Sequence, residues 1–165
     1  GNFDRFPNAQ FHLQEKELQF ATGRYMRYPQ LQHAFEIDDV CGIVRLNYEQ
    51  KVTFYNGDDQ LSAGLRLHCT GGHSAGLQFV SVHTKRGWVV LASDASHYYE
   101  HMESYRPFTI AFHVGEMMES FDKLKKTAPS LSHIIPGHDP RVMEKYPAVE
   151  GQDGLMVRLD EPPKN

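Results

Sequence analysis

With 165 residues, 40% of them hydrophobic and 12% aromatic, the chain is long enough for one domain with its own core and too apolar to be a disordered segment. A formal net charge of −4 gives no basic field for nucleic acid or an anionic membrane. No apolar run approaches the roughly 20 residues of a membrane span, and the first residues lack the charged-then-apolar pattern of a secretion signal, so a cytoplasmic setting is the expectation.

In chain order, residues 3–8 form a turn-rich lead-in, residues 9–13 alternate weakly as a short strand, and residues 15–21 predict a helix ended by Gly23. Over residues 24–34, Tyr25, Arg27, Tyr28 and His33 interleave aromatic and basic character. That pattern fits either a cleft or partner surface, or an amphipathic segment packed on the core. Residues 36–51 carry mixed signals, and Ile37, Val40, Ile43 and Val44 leave helix and strand both open. Cys41 lies within this stretch. It and Cys69 are too few for a disulfide framework and form no Cys-x-x-Cys pair, so both are expected as buried free thiols.

Residues 52–55 predict a strand running into Asn56-Gly57, a dipeptide that favours hairpins. Residues 65–69, 77–84 and 88–92 predict an antiparallel meander, and residues 97–102 a short helix or loop. Val114, Met117, Met118, Phe121 and Leu124 recur at spacings of three and four, which predicts an amphipathic helix over residues 114–126, stopped by Pro129. A buried strand over residues 131–135, a helical turn over 141–145 and a last strand over 155–159 complete a single layered domain without repeats.

Three of these segments end in turns that deliver an imidazole or a carboxylate: His73 in Thr70-Gly71-Gly72-His73-Ser74-Ala75-Gly76, Asp94 after Ala92-Ser93, and His138 after Ile135-Pro136-Gly137. Strand ends converging on one sheet edge make a rigid base for a metal site, and a catalytic zinc takes about three protein ligands and keeps a position for water. On spacing alone, in a chain with ten histidines, these also read as ordinary polar turn residues.

The same three segments, in their order and separations, resemble the last three metal motifs of the metallo-β-lactamase superfamily, and most closely those of its N-acyl-homoserine lactonases. The resemblance implies an α+β fold, the C-terminal part of an αββα sandwich with mainly antiparallel strands and outer helices. The family's first motif, His-x-His-x-Asp-His, is absent: no two histidines are separated by one residue and no Asp precedes a His. Residues 1–165 are therefore expected to be the C-terminal part of one such domain, an incomplete catalyst whose other ligands lie on an N-terminal segment.

By resemblance, His73 binds one zinc, Asp94 bridges two and His138 binds the second. A hydroxide held between them opens a lactone ring, with an N-acyl-homoserine lactone, a quorum signal, as substrate. A pyridoxolactone or thioester hydrolase of the same superfamily, or a metal-free fragment, are the alternatives, and a homodimer is compatible with either. His97 departs from the family, standing where the lactonases carry a tyrosine that orients the substrate, with Tyr98 one position later. Either side chain, or neither, takes that role. His12, His33, His68, His83, His101, His113 and His133 read as surface or packing histidines.

Overall fold

The structure, a computed structural model, describes residues 2–152 and 154–164. Strand β1 (Phe11–Gln14) and strand β2 (Val52–Tyr55) pair in parallel, which requires a crossover; helices α1 (Glu15–Ala21), α2 (Pro29–Gln32) and α3 (Ile37–Tyr48) supply it. Glu15 and Glu17 in the first turn of α1 complement the helix dipole. The chain leaves the helix at Gly23, where a Cβ would stand 2.6 Å from the Gln19 carbonyl oxygen.

Within the ambiguous residues 36–51, Ile37–Tyr48 are helical. A strand would send Ile37 and Ile43 to one face and Val40 and Val44 to the other, whereas a helix gathers all four on one side. Asp38 and Asp39 in the first turn and Arg45 in the last add dipole complementarity. Cys41, on this helix, is exposed and Cys69 half-buried, against the expectation of two buried thiols; both are free.

The Asn56-Gly57 turn closes no hairpin. The buried Gln14 amide takes up its backbone groups instead: the Gly57 N–H donates to Gln14 Oε1 and Gln14 Nε2 donates to the Gly57 carbonyl, each at 3.0 Å. The chain then passes into a second sheet.

That sheet runs β3 (Asp59–Ser62), β4 (Leu65–Cys69), β5 (Gln78–Thr84), β6 (Gly87–Leu91) and β7 (Ile134–Ile135) in spatial as in chain order. The first four strands form the expected antiparallel meander, and β7 adds in parallel to β6. Phe79, Val90 and Ile134 face helices α4 (Tyr99–Ser104) and α5 (Val114–Thr127), where Met102, Met117, Phe121 and Leu124 complete the main core. Met117, Phe121 and Leu124 of the expected amphipathic pattern lie three or four residues apart and form the face that α5 buries, while Val114, at its first turn, is exposed. The His113 ring accepts the Glu116 N–H at 3.0 Å and caps α5. On the other face Val89 and Ile135 pack on Tyr146, just beyond α6 (Arg141–Lys145).

One expected strand is shortened and another is not formed. Of residues 131–135 only Ile134 and Ile135 pair, because Leu131–His133 make a 3-10 turn. The Ser132 carbonyl there is satisfied by Arg86 at 3.1 Å and by the Tyr146 hydroxyl at 2.7 Å, with no neighbouring strand. Residues 155–159 contribute only the isolated bridge between Ala148 and Val157, and the Leu159 carbonyl is taken by Arg86 Nε at 2.7 Å.

Candidate metal centre

The His73 turn between β4 and β5 is clamped between two helices. Gly71 and Gly72 have φ of +80° and +93°, a region that favours glycine, and a Cβ on Gly72 would stand 2.6 Å from the Met117 nitrogen of α5. The Phe112 and His113 N–H groups donate to the His73 and Gly72 carbonyls at 3.2 and 2.9 Å. On the opposite side Glu17 of α1 accepts from Ser74 Oγ at 2.7 Å and from the Gly76 N–H at 2.8 Å, both on Oε2. Burial raises the Glu17 carboxyl above its ordinary range, and these two hydrogen bonds and the His73 ring oppose that shift.

The Asp94 and His138 turns are laced together through their backbones. Gly137 N–H donates to the Ser96 carbonyl at 3.0 Å and His138 N–H to the His97 carbonyl at 2.9 Å. A Cβ on Gly137 would meet the Ser93 carbonyl oxygen at 2.6 Å, so only glycine admits this approach. Ser93 itself has φ +49°, a strained backbone held one residue before Asp94.

The three residues singled out by their motifs come together at the sheet edge. Asp94 Oδ2 is 3.8 Å from His73 Nε2, and Asp94 Oδ1 is 2.7 Å from His138 Nε2. The two carboxylate oxygens thus serve different imidazoles. His73 Nδ1 lies 2.8 Å from the Ile110 carbonyl, which can only accept, so Nδ1 carries a proton and Nε2 is the ring nitrogen beside Asp94. A backbone partner that fixes the tautomer is the usual support of a metal-ligating histidine.

His97 joins them, with Nε2 3.5 Å from Asp94 Oδ1. Its ring stacks on Phe108 at 3.7 Å between centroids, and burial, partly countered by Asp94, depresses its pKa to about 4. His97 is therefore neutral near pH 7. Tyr98 stays at the rim, 43% exposed, its ring 5.1 Å from that of His101. A cavity of about 120 Å³ opens beside the cluster, lined among others by Glu17, Phe20, Phe35, His73, Asp94 and Ile110.

Glu17, Phe108 and the Ile110 carbonyl escaped the sequence reading. A Glu in a helix and a Phe in a loop carry no motif, and a backbone carbonyl has no sequence signal at all.

A second histidine cluster lies on strands β4 and β5. His68 stacks on Phe79 at 4.7 Å between centroids, with Nε2 2.9 Å from Ser81 Oγ and Nδ1 3.5 Å from the Asp58 carboxylate. The order Ser, His, Asp is that of a nucleophilic relay, but Ser81 is 1% exposed. His68 is a packing residue.

The five-stranded sheet with outer helices and with the His73, Asp94 and His138 turns at one edge matches the metallo-β-lactamase fold, shared with solved lactonases and with a hydrolase of the β-lactamase superfamily at 19% identity and TM-score 0.61. In sequence and fold the chain is similar to N-acyl homoserine lactonases. An N-acyl homoserine lactonase from a Bacillus species is 32% identical over 114 residues, 68% of this chain and 44% of the relative. A solved N-acyl homoserine lactone hydrolase, with the product N-hexanoyl-L-homoserine at its catalytic metal centre, matches with TM-score 0.68 and 26% identity over 87% of this chain and 52% of its own. A Bacillus thuringiensis variant with N-decanoyl-L-homoserine at its active site gives the same four figures, TM-score 0.68, 26%, 87% and 52%. The chain spans about half the length of the relatives it matches. No family model matches it.

Proposed function

We propose that this chain is the C-terminal part of a metal-dependent lactone hydrolase acting on N-acyl-homoserine lactones, with His73, Asp94 and His138 as ligands of a dinuclear zinc site. The observation that carries the reading is the carboxylate of Asp94, whose Oδ2 faces His73 and whose Oδ1 faces His138, as a bridging ligand requires. The donor set of imidazoles and one carboxylate suits zinc. Zinc in such a site supplies Lewis acidity and lowers the pKa of a bound water toward neutrality.

The chain's own residues prepare that chemistry. Ile110 holds His73 in the tautomer with a free Nε2, and the backbone bonds between the His97 and His138 turns keep Asp94 and His138 in register. Neutral His97 presents a ring nitrogen beside Asp94 without adding charge to a cationic site. The N-acyl-homoserines bound at the metal centre or active site of the two solved relatives support a lactone as substrate. A segment bearing further ligands is part of the reading, as is a cytoplasmic setting; among the described residues no helix is long and apolar enough to cross a membrane.

The test is acid release from N-hexanoyl-homoserine lactone, followed by pH-stat, for zinc-loaded protein carrying the N-terminal segment. Ring opening by water should proceed, and Asp94→Ala should abolish it. Turnover unchanged in that variant, or a preference for a thioester over the lactone, would overturn the reading.

A further inference from the structure

The spacing of the cluster singles out a ligand that the motifs did not name. Around a tetrahedral zinc with bonds of about 2.0–2.1 Å, neighbouring donor atoms stand about 3.3–3.4 Å apart. His97 Nε2 is 3.5 Å from one Asp94 oxygen and His73 Nε2 is 3.8 Å from the other. Donor atoms of His73, Asp94 and His97 all lie within 4.8 Å of one another. His138 Nε2 is hydrogen-bonded to Asp94 Oδ1 at 2.7 Å and leaves the ion to His73, Asp94 and His97, the second metal position of the proposed site remaining with His138.

The two ligand rings are also held as ligands need to be. His73 and His97 meet edge to face at 5.6 Å between centroids, and Phe108 packs on both, at 5.6 Å and 3.7 Å. Ile110 fixes the His73 tautomer, and the stack on Phe108 fixes the His97 ring plane.

We propose that His97 is a metal ligand, so that His73, Asp94 and His97 together hold one divalent transition-metal ion using residues of this chain alone. The inference rests on reading this cluster as a metal centre and deepens it: the substrate-orienting position becomes part of the metal site, and the chain holds an ion without ligands from another segment.

Titration of the 165-residue chain with Co2+, read by calorimetry and by visible absorption, tests this. One ion should bind per chain with the intense absorption of a four-coordinate site. His97→Phe, which keeps the stack on Phe108 and removes the nitrogens, should weaken binding about 100-fold and shift the absorption. Circular dichroism checks that the variant folds. If it does not, the wild-type Co2+ form decides, because hyperfine-shifted imidazole N–H signals should come from two histidines, and signals from one only would overturn the proposal. Binding unchanged in His97→Phe but lost in His73→Ala would overturn the role of His97 and leave the metal-centre reading intact. Binding untouched in His73→Ala as well would sink both, and no binding by the wild type would refute a site built from this chain alone.

Discussion

Replacing Glu17 by Ala tests whether the His73 turn is held from α1. The carboxylate accepts two hydrogen bonds, from Ser74 Oγ at 2.7 Å and the Gly76 N–H at 2.8 Å. Bonds to a charged acceptor contribute about 1.5–3 kcal/mol each, and an orphaned buried N–H costs about 1–3 kcal/mol; burial of the carboxylate offsets part of this, leaving a net loss of about 2–4 kcal/mol for Glu17→Ala. Glu17→Gln keeps one acceptor and should lose about half as much. The sign of the pH dependence follows from the raised carboxyl. Between its ordinary value of about 4.3 and its higher folded value the native state holds a proton that the unfolded chain has released, so stability falls as pH rises through that window. Glu17→Gln should flatten this slope. Urea denaturation of the three proteins across pH 4 to 7 reads both effects. A Glu17→Ala variant within about 0.5 kcal/mol of wild type, outside the range argued from these bonds, would refute the clamp.

Three further outcomes are expected. Gly137→Ala forces the His138 turn off the Ser93 carbonyl, 2.6 Å from the added carbon, and should cost about 1–3 kcal/mol by denaturation and weaken metal binding; an unchanged affinity would mean the turns tolerate separation. Burial lowers the pKa of His68, so below its ordinary value of about 6.5 the unfolded chain takes up a proton before the native one does. Stability should therefore decline as pH falls below that point, with a smaller slope in His68→Gln, as read from thermal melts. Phe121, fully enclosed in the main core, should lose about 3–5 kcal/mol as Phe121→Ala.

The helices α1 and α5 and the meander were legible in the sequence because their periodicities are local and their stops, Gly23 and Pro129, are chemical. The turns carrying His73, Asp94 and His138 were legible because glycine must stand where the backbone turns left-handed or two chains touch, as at Gly72 and Gly137. What misled was local chemistry satisfied at a distance. Asn56-Gly57 signals a hairpin, yet Gln14, 43 residues away, takes its hydrogen bonds; residues 155–159 alternate like a strand, yet an arginine side chain takes the carbonyl that a strand would. Of His97 and Tyr98, adjacent in sequence, only a three-dimensional view separates the one beside Asp94 from the one at the rim.

The sealed hydroxyl of Ser81 bears on how such a protein is sorted by inhibitors. A fluorophosphonate probe needs a nucleophile that solvent can reach, and Ser81, beside the His68–Asp58 couple, is 1% exposed in strand β5. A probe of that kind would leave Ser81 unlabelled, while a chelator would report on the proposed site at His73, Asp94 and His138.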